Sequence, residues 1–254
     1  MKIGIISGYG IANFIKDPEK IMVETAFGDI SVEVSRLEKH DLFFINRHGE
    51  KSVIPPHKVN YLGNVQAFAS SHVEYVLSIG AVGSMKKSIQ PGDFVIPHDF
   101  IDLTKSRQQT FFDDKRVHVD MTNPYCPSLR DSLIKNCKKV HGATFHDKGV
   151  YLATEGPRLE TASEINYFSK FADIVGMTGV PEVVLARERG ICYASLCVVC
   201  NMAAGLQNKL TADEISRIYT EREPIISKIL QGTIDSIDEK RNCNCKNDLS
   251  KATL

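Results

Sequence analysis

Residues 176–205 read GMTGVPEVVLARERGICYASLCVVCNMAAG, and the fold turns on how this stretch is parsed. Ile191 to Cys200 carries no charge and consists of apolar and small side chains, the pattern of a strand buried on both faces of a sheet. Upstream, Pro181 to Glu188 reads as a short helix with proline near its first turn, where a missing N–H costs nothing. Before that helix, Met177-Thr178-Gly179 forms a small-residue loop carrying one hydroxyl. After the strand stands a single polar side chain, Asn201, followed by small residues. Open α/β sheets present ligand-reading groups at strand ends, which makes Asn201 a candidate. An Asn in that place is equally well read as a turn former.

Outward from this stretch, strand-like runs and helices alternate. Lys2 to Ile6 is a β-type run ending in Ser7-Gly8-Tyr9-Gly10, where bare backbone N–H groups can approach an anion. The loop matches neither a Walker loop nor a dinucleotide fingerprint, and a tight turn would look the same. Ile30 to Val34 alternates like an exposed strand. Asp41 to Ile45 reads as a buried strand opening into Asn46-Arg47-His48-Gly49. Arg beside His at a strand end is costly to bury without an anionic partner, and the guanidinium fork suits phosphate. Asn60 to Ser71 reads as a helix, and Tyr75 to Ile79 as a strand followed by a second small-residue loop, Gly80 to Ser84. Phe94 to Pro97 starts another strand; residues 99–123 are polar and irregular, and a loop that long is usually functional. Pro127 to Val140 is an amphipathic helix. Val150 to Ala153 reads as a strand running into TEGPRLET at 154–161, where Glu155 and Glu160 flank a Gly-Pro turn. Ala162 to Ala172 reads as a helix, and Leu210 to Ile237 as one long helix interrupted near Pro224.

Strands alternating with helices predict an α/β single domain over residues 1–237, with a central mixed, mostly parallel twisted β-sheet flanked by helices. Residues 238–254 are polar and predicted to fray. A chain of 254 residues suits one such domain. Lys+Arg and Asp+Glu are both 31, so no global field favours nucleic acid or an anionic membrane; a small anionic substrate held by local cations is compatible. The seven cysteines are odd in number and three lie in one apolar run, which argues for core packing rather than a disulfide framework. Cys243 and Cys245 form a C-x-C, but the sequence sets no second pair or His beside it, so zinc is not expected there. No apolar run reaches the roughly 18 residues of a membrane helix. The N-terminal apolar run is too short, and too interrupted by glycine, for a signal peptide. A reducing cytoplasm is the expected compartment.

Read together, several loops give the chain a specific likeness. Asn46-Arg47-His48-Gly49, PPHKVNY at 55–61, GSMKKSIQPGD at 83–93, Glu155-Gly156-Pro157-Arg158 and MTGVPEVVLARE at 177–188 occur in that order. In this the chain resembles the trimeric branch of the nucleoside phosphorylases, which includes purine nucleoside and methylthioadenosine phosphorylases. The resemblance spans roughly residues 2–236. It implies the nucleoside phosphorylase fold and a phosphorolysis: inorganic phosphate, a co-substrate, attacks the anomeric carbon of a purine nucleoside and releases the base and a ribose 1-phosphate. It implies no metal or organic cofactor, a homotrimer, and a role in purine salvage.

Carried over by position, the resemblance puts phosphate on Arg47, His48, the Thr178 hydroxyl and the backbone around Gly8 and Ala81. Met177 would pack under the ribose and Leu159 against the purine. Pro56, His118 and the residues near Ala212 and Ile215 would surround the 5′ group. In the family that last helix closes over the site, and the loop near His118 can come from a neighbouring subunit. Relatives that cleave 6-aminopurines carry Asp where this chain has Asn201, a second Asp at the position of Ala203, and Ser at that of Glu160. Those for 6-oxopurines carry Glu and Asn at positions 160 and 201. The chemistry agrees: a carboxylate accepts the ring N1–H of a 6-oxopurine, and an amide donates to the negative charge that gathers on N7 and O6 of the leaving base. Asn201, Glu160 and His48 are therefore the implied catalytic groups, and 6-oxopurine nucleosides the implied substrates, with inosine, guanosine and 5′-methylthioinosine all admissible.

Two positions depart from the family. Tyr9 stands where a Ser or Thr normally touches phosphate, and Gly80 where Thr or Asn is usual. Two lost hydrogen bonds at about 1 kcal/mol each amount to roughly ten- to thirtyfold in phosphate affinity. These departures leave open a phosphate-independent nucleoside hydrolase beside a 5′-methylthioadenosine phosphorylase and a non-catalytic purine-binding protein.

Overall fold

The computed structural model describes residues 1–9, 14, 17–37, 39–238, 241–247 and 252. Gly10 of the first loop, and positions 239–240, 248–251 and 253–254 of the polar C-terminal segment, lie outside the described residues. Among the described residues eleven strands form one sheet: β1 (Lys2–Ser7), β2 (Glu19–Val23), β3 (Ile30–Arg36), β4 (Asp41–Asn46), β5 (Tyr75–Ser84), β6 (Phe94–Val95), β7 (Asp99–Leu103), β8 (Phe145–His146), β9 (Val150–Thr154), β10 (Ile174–Gly176) and β11 (Cys192–Met202). Among the described residues five α-helices accompany them: α1 (Tyr61–Ser70), α2 (Pro127–Cys137), α3 (Ala162–Phe168), α4 (Gly179–Glu188) and α5 (Ala212–Asp235). The order β2-β3-β4-β1-β5-β10-β9-β7 runs across the sheet, and β11 pairs with both β5 and β6. Parallel pairings predominate, as expected; the antiparallel ones are β2–β3, β3–β4, β5–β10 and β6–β11.

The local signals that start the helices are visible in place. Asn60 caps α1 by accepting from Gly63 N, Thr161 and Glu164 form a capping box on α3, and Thr211 accepts from Glu214 N at the head of α5. In α4 the residue before Pro181 is extended (Val180, φ −120°, ψ 130°), so regular helix begins at the proline. The alternation along β11 sorts its side chains onto two cores. Tyr193, Cys197 and Val199 face the α1 and α4 side, and Cys192, Ala194, Leu196, Val198 and Cys200 face α2 and α5. On α5, Ile226, Ile229, Leu230 and Ile234 are fully buried at helical spacing, each contributing about 1.5–3 kcal/mol of apolar burial. No helix among the described residues is long and apolar enough to cross a membrane.

Two differences from the sequence expectation bear on function. Gly80 to Ser84 is not a loop: β5 continues through it, because β11 pairs with it from Cys197 to Met202. Asn201 accordingly lies inside β11, at a register shift between Val199 and Asn201, and is not a turn residue. On its other side β5 pairs with β1 only as far as Ile79 and with β10 only from Gly83. The sheet therefore forks along Gly80–Val82, and the fork sits where β1 and β4, which run parallel to one another, end.

Candidate active site

Strand ends of a parallel sheet bring loops together on one side. Here Gly8 follows β1, Arg47 and His48 follow β4, Ala81 lies in the fork of β5, and Thr178 immediately precedes α4. All five line one cavity of about 200 Å³. Gly8 has to be small, since a Cβ there would lie 2.8 Å from Cδ2 of His48. Gly176 and Gly179 are small for a similar reason: a Cβ on either would run into the Tyr151 ring, whose hydroxyl oxygen accepts from Thr178 N and Gly179 N at 3.3 and 3.2 Å.

Arg47 is buried with a protein anion. Its Nε and Nη2 donate to the two carboxylate oxygens of Glu182 at 2.6 and 2.8 Å. Nη2 also donates to Ser78 Oγ, and Nη1 to the Ile79 carbonyl, both at 2.9 Å. Burial works against the guanidinium charge, but Glu182 more than offsets it and the pKa is raised. Four of the five N–H groups are thus committed within the protein, and the remaining one is on Nη1. The anionic partner demanded by the sequence is therefore Glu182, and the pair as a whole contributes little net charge to the cavity.

His48 is oriented by its own loop. Its Nδ1 lies 2.5 Å from the Ile54 carbonyl, which makes Nδ1 the protonated nitrogen and leaves Nε2 beside Gly8. Burial pushes its pKa below the usual histidine value, the Ile54 contact opposes this, and the Arg47 charge adds to the lowering. The free imidazole is neutral at pH 7, with Nε2 able to accept a proton from an acidic ligand.

The cavity is also lined by Leu159, Glu160, Met177 and Asn201. Asn201 Nδ2 donates to the Met202 carbonyl at 2.9 Å, which leaves its second N–H and its carbonyl oxygen for a ligand. Thr154 Oγ1 donates to Glu160 Oε1 at 2.6 Å, orienting the carboxylate. Pro56 and Ile215 add apolar wall, joined by Leu210. His118 and Ala212 do not line the cavity: both are exposed, and His118 N donates to the Ala252 carbonyl.

The two departures now have a setting. The Tyr9 ring stacks on Tyr219 of α5 (centroids 4.3 Å apart, 24° between planes), so it packs on that helix while still lining the cavity. Gly80 lines the cavity with nothing within 4 Å of where a Cβ would stand, so the missing side chain leaves open room.

Sequence reasoning missed two positioning residues. Glu182 looked like one polar residue on a short helix; it is fully buried and also accepts from Tyr193 Oη at 2.9 Å. Arg107, in the long polar segment, donates to the carbonyls of Met177 (2.5 Å), Val180 (2.7 Å) and Glu155 (2.7 Å) and to Tyr61 Oη (2.9 Å). It ties together the two loops that carry Met177 and Glu160. The available signal was an arginine in a loop too long to be a plain connector. Glu155 holds that segment in turn, accepting from Ser106 Oγ at 3.0 Å.

The family model described as the phosphorylase superfamily matches residues 2–235. A "probable 6-oxopurine nucleoside phosphorylase" of Dictyoglomus turgidum is 44% identical over 257 residues, covering 99% of this chain and 97% of its own. A "probable S-methyl-5'-thioinosine phosphorylase" of Methanosarcina acetivorans is 47% identical over 246 residues, covering 96% and 94%. Among solved structures, a methylthioadenosine phosphorylase from an antarctic soil metagenomic library superposes with a TM-score of 0.93 at 31% identity, covering 99% of this chain and 92% of that one.

Proposed function

This chain belongs to the phosphorylase superfamily and is a pentosyltransferase acting on purine nucleosides with phosphate, and we propose that within that class it cleaves 6-oxopurine nucleosides. The carrying observation is the pairing of Asn201 and Glu160 on one cavity with Arg47 and His48. Phosphate sits between the free Nη1–H of Arg47, Nε2 of His48, the Thr178 hydroxyl and the backbone at Gly8 and Ala81. Its oxygen attacks the anomeric carbon as the bond to purine N9 breaks, giving ribose 1-phosphate and the free base. Negative charge collects on the leaving purine; the spare Asn201 N–H donates to it, and Glu160 accepts the ring N1–H. Adenine has no N1–H, so it would leave the Glu160 oxygen that Thr154 does not hold without a ligand donor, at about 1–3 kcal/mol or a roughly five- to 150-fold penalty.

The apolar wall of Pro56, Leu210 and Ile215 suits an apolar 5′ substituent, so 5′-methylthioinosine is accommodated beside inosine and guanosine. The names of the relatives above fall on both sides of that choice. The same reading takes the enzyme to be a cytoplasmic homotrimer in purine salvage, with His118 serving the cavity of a neighbouring copy. The test compares inosine, 5′-methylthioinosine and 5′-methylthioadenosine, each with and without phosphate. Phosphate-dependent release of hypoxanthine with ribose 1-phosphate products is expected. Faster cleavage of methylthioadenosine than of both inosine substrates would overturn the base assignment, and base release at full rate without phosphate would overturn the phosphorolysis.

A further inference from the structure

The Cys243–Cys245 pair acquires in the fold the second pair that its sequence surroundings lack. Cys126 stands at the head of α2, and its backbone N–H donates to the Tyr193 carbonyl at 2.8 Å, which sets it beside the start of β11. Cys192 is the first residue of β11. The C-terminal segment crosses the turn before that strand. Arg241 Nη1 donates to the Gly190 carbonyl at 2.9 Å, Ser128 Oγ to the Asn242 carbonyl at 3.0 Å, and Gly190 (φ +63°) is so close that a Cβ would meet Lys246 Cα at 3.2 Å. Residues 241–247 of the segment expected to fray are thereby packed on the domain, and their two cysteines meet the other two. The sulfurs of Cys126, Cys192, Cys243 and Cys245 all lie within 4.8 Å of one another, and those of Cys192 and Cys243 are 3.3 Å apart. Cys126, Cys192 and Cys245 are essentially inaccessible and Cys243 is half-buried.

We infer that these four cysteines form a structural tetrathiolate site for a soft divalent cation, zinc in the first instance, that fastens the C-terminal segment to the root of β11. A tetrahedral zinc with Zn–S bonds of about 2.3 Å holds its sulfurs about 3.8 Å apart, inside the range the cluster already spans. Four thiols packed together cannot all ionise without a cation among them. On binding, each loses its proton to solvent and the four thiolates around Zn²⁺ leave a net charge of −2. The N-terminus of α2, where Cys126 is the cap residue, meets part of that charge. Four protein sulfurs leave no open position, so the ion is structural, and Asn201 lies at the opposite end of β11.

The test is metal analysis of the full chain purified under reducing conditions without chelator. One equivalent of zinc per chain is expected. Cobalt substitution should give the strong visible absorption of a tetrahedral thiolate site. Cys243→Ser and Cys245→Ser should each lose most of the bound metal, while Cys137→Ser, a buried thiol outside the cluster, should keep it. Removing the metal should lower Tm and leave the preference among nucleosides unchanged. Reduced protein that takes up neither zinc nor cobalt would overturn the proposal. So would a non-reduced mass showing that the four residues are joined as two disulfides. Neither result touches the assignment of the nucleoside cavity.

Discussion

Asn201→Asp separates a base-reading amide from a structural one. The wild-type amide has two N–H groups; one holds the Met202 carbonyl at 2.9 Å, and the other is left for a ligand on a side chain that lines the cavity. Aspartate removes both. Loss of the first sets a carboxylate oxygen against a carbonyl oxygen and costs the fold about 1 kcal/mol. Loss of the second removes a donor to a base that becomes negatively charged in the transition state, worth about 2–3 kcal/mol. That is a roughly 30- to 150-fold fall in kcat/KM for inosine. Against a 6-aminopurine the new carboxylate can accept from the exocyclic amine, but Glu160 and Ala203 are unchanged, so a gain of only about 1 kcal/mol, or fivefold, is expected. The selectivity ratio should therefore move by two orders of magnitude or more in favour of methylthioadenosine. The assay is initial-rate phosphorolysis of both nucleosides at fixed phosphate, with the melting temperature of each protein as a folding control. A folded variant whose ratio stays within threefold of wild type would show that Asn201 does not contact the base.

Four further outcomes follow from the geometry. Gly80→Ser places a hydroxyl in open space on the cavity wall and should lower KM for phosphate about fivefold, the worth of one hydrogen bond; a raised KM would mean that phosphate does not approach Gly80. Glu182→Gln leaves the Arg47 charge buried without its counter-ion and should cost about 3 kcal/mol in urea unfolding, where a loss below about 1 kcal/mol would refute the pair's role. His48 is neutral when free because burial lowers its pKa, so binding the phosphate dianion must take up one proton. KM for phosphate should accordingly rise by up to about tenfold per pH unit above the second pKa of phosphate, and His48→Asn should flatten that slope. If His48→Asn retains the full slope, the proton is not on His48. Finally, sedimentation should give three times the chain mass; a monomer with full activity would remove any role for a neighbour's His118.

The cavity was legible where chemistry is written locally. Arg47-His48 after a buried run, glycines beside them, and a lone amide ending an apolar strand are contrasts within a few residues. Eleven of the thirteen site positions read from sequence line the one cavity. His118 and Ala212 do not, and their expected roles come from the family likeness alone. Short or polar strands were not legible. β2 has no buried residue, β8 has two residues and β10 three, too few to establish a period, and each exists because a neighbour supplies its hydrogen bonds. Gly80–Ser84 looked like a loop because small residues carry no strand signal; pairing with β11 makes it strand.

By itself the sequence determined the class of the fold, the two-sided burial of β11 and the set of polar groups that could read an anion and a purine. Those follow from hydrophobic periodicity and side-chain chemistry, which are properties of neighbouring residues. Only the tertiary structure decided which charges answer each other. Arg47 meets Glu182 across 135 positions, Arg107 joins loops 48 and 70 positions away, and four cysteines from three separate segments converge at the root of one strand. Such pairings depend on how strands are ordered in the sheet, and no local pattern encodes a distance between segments.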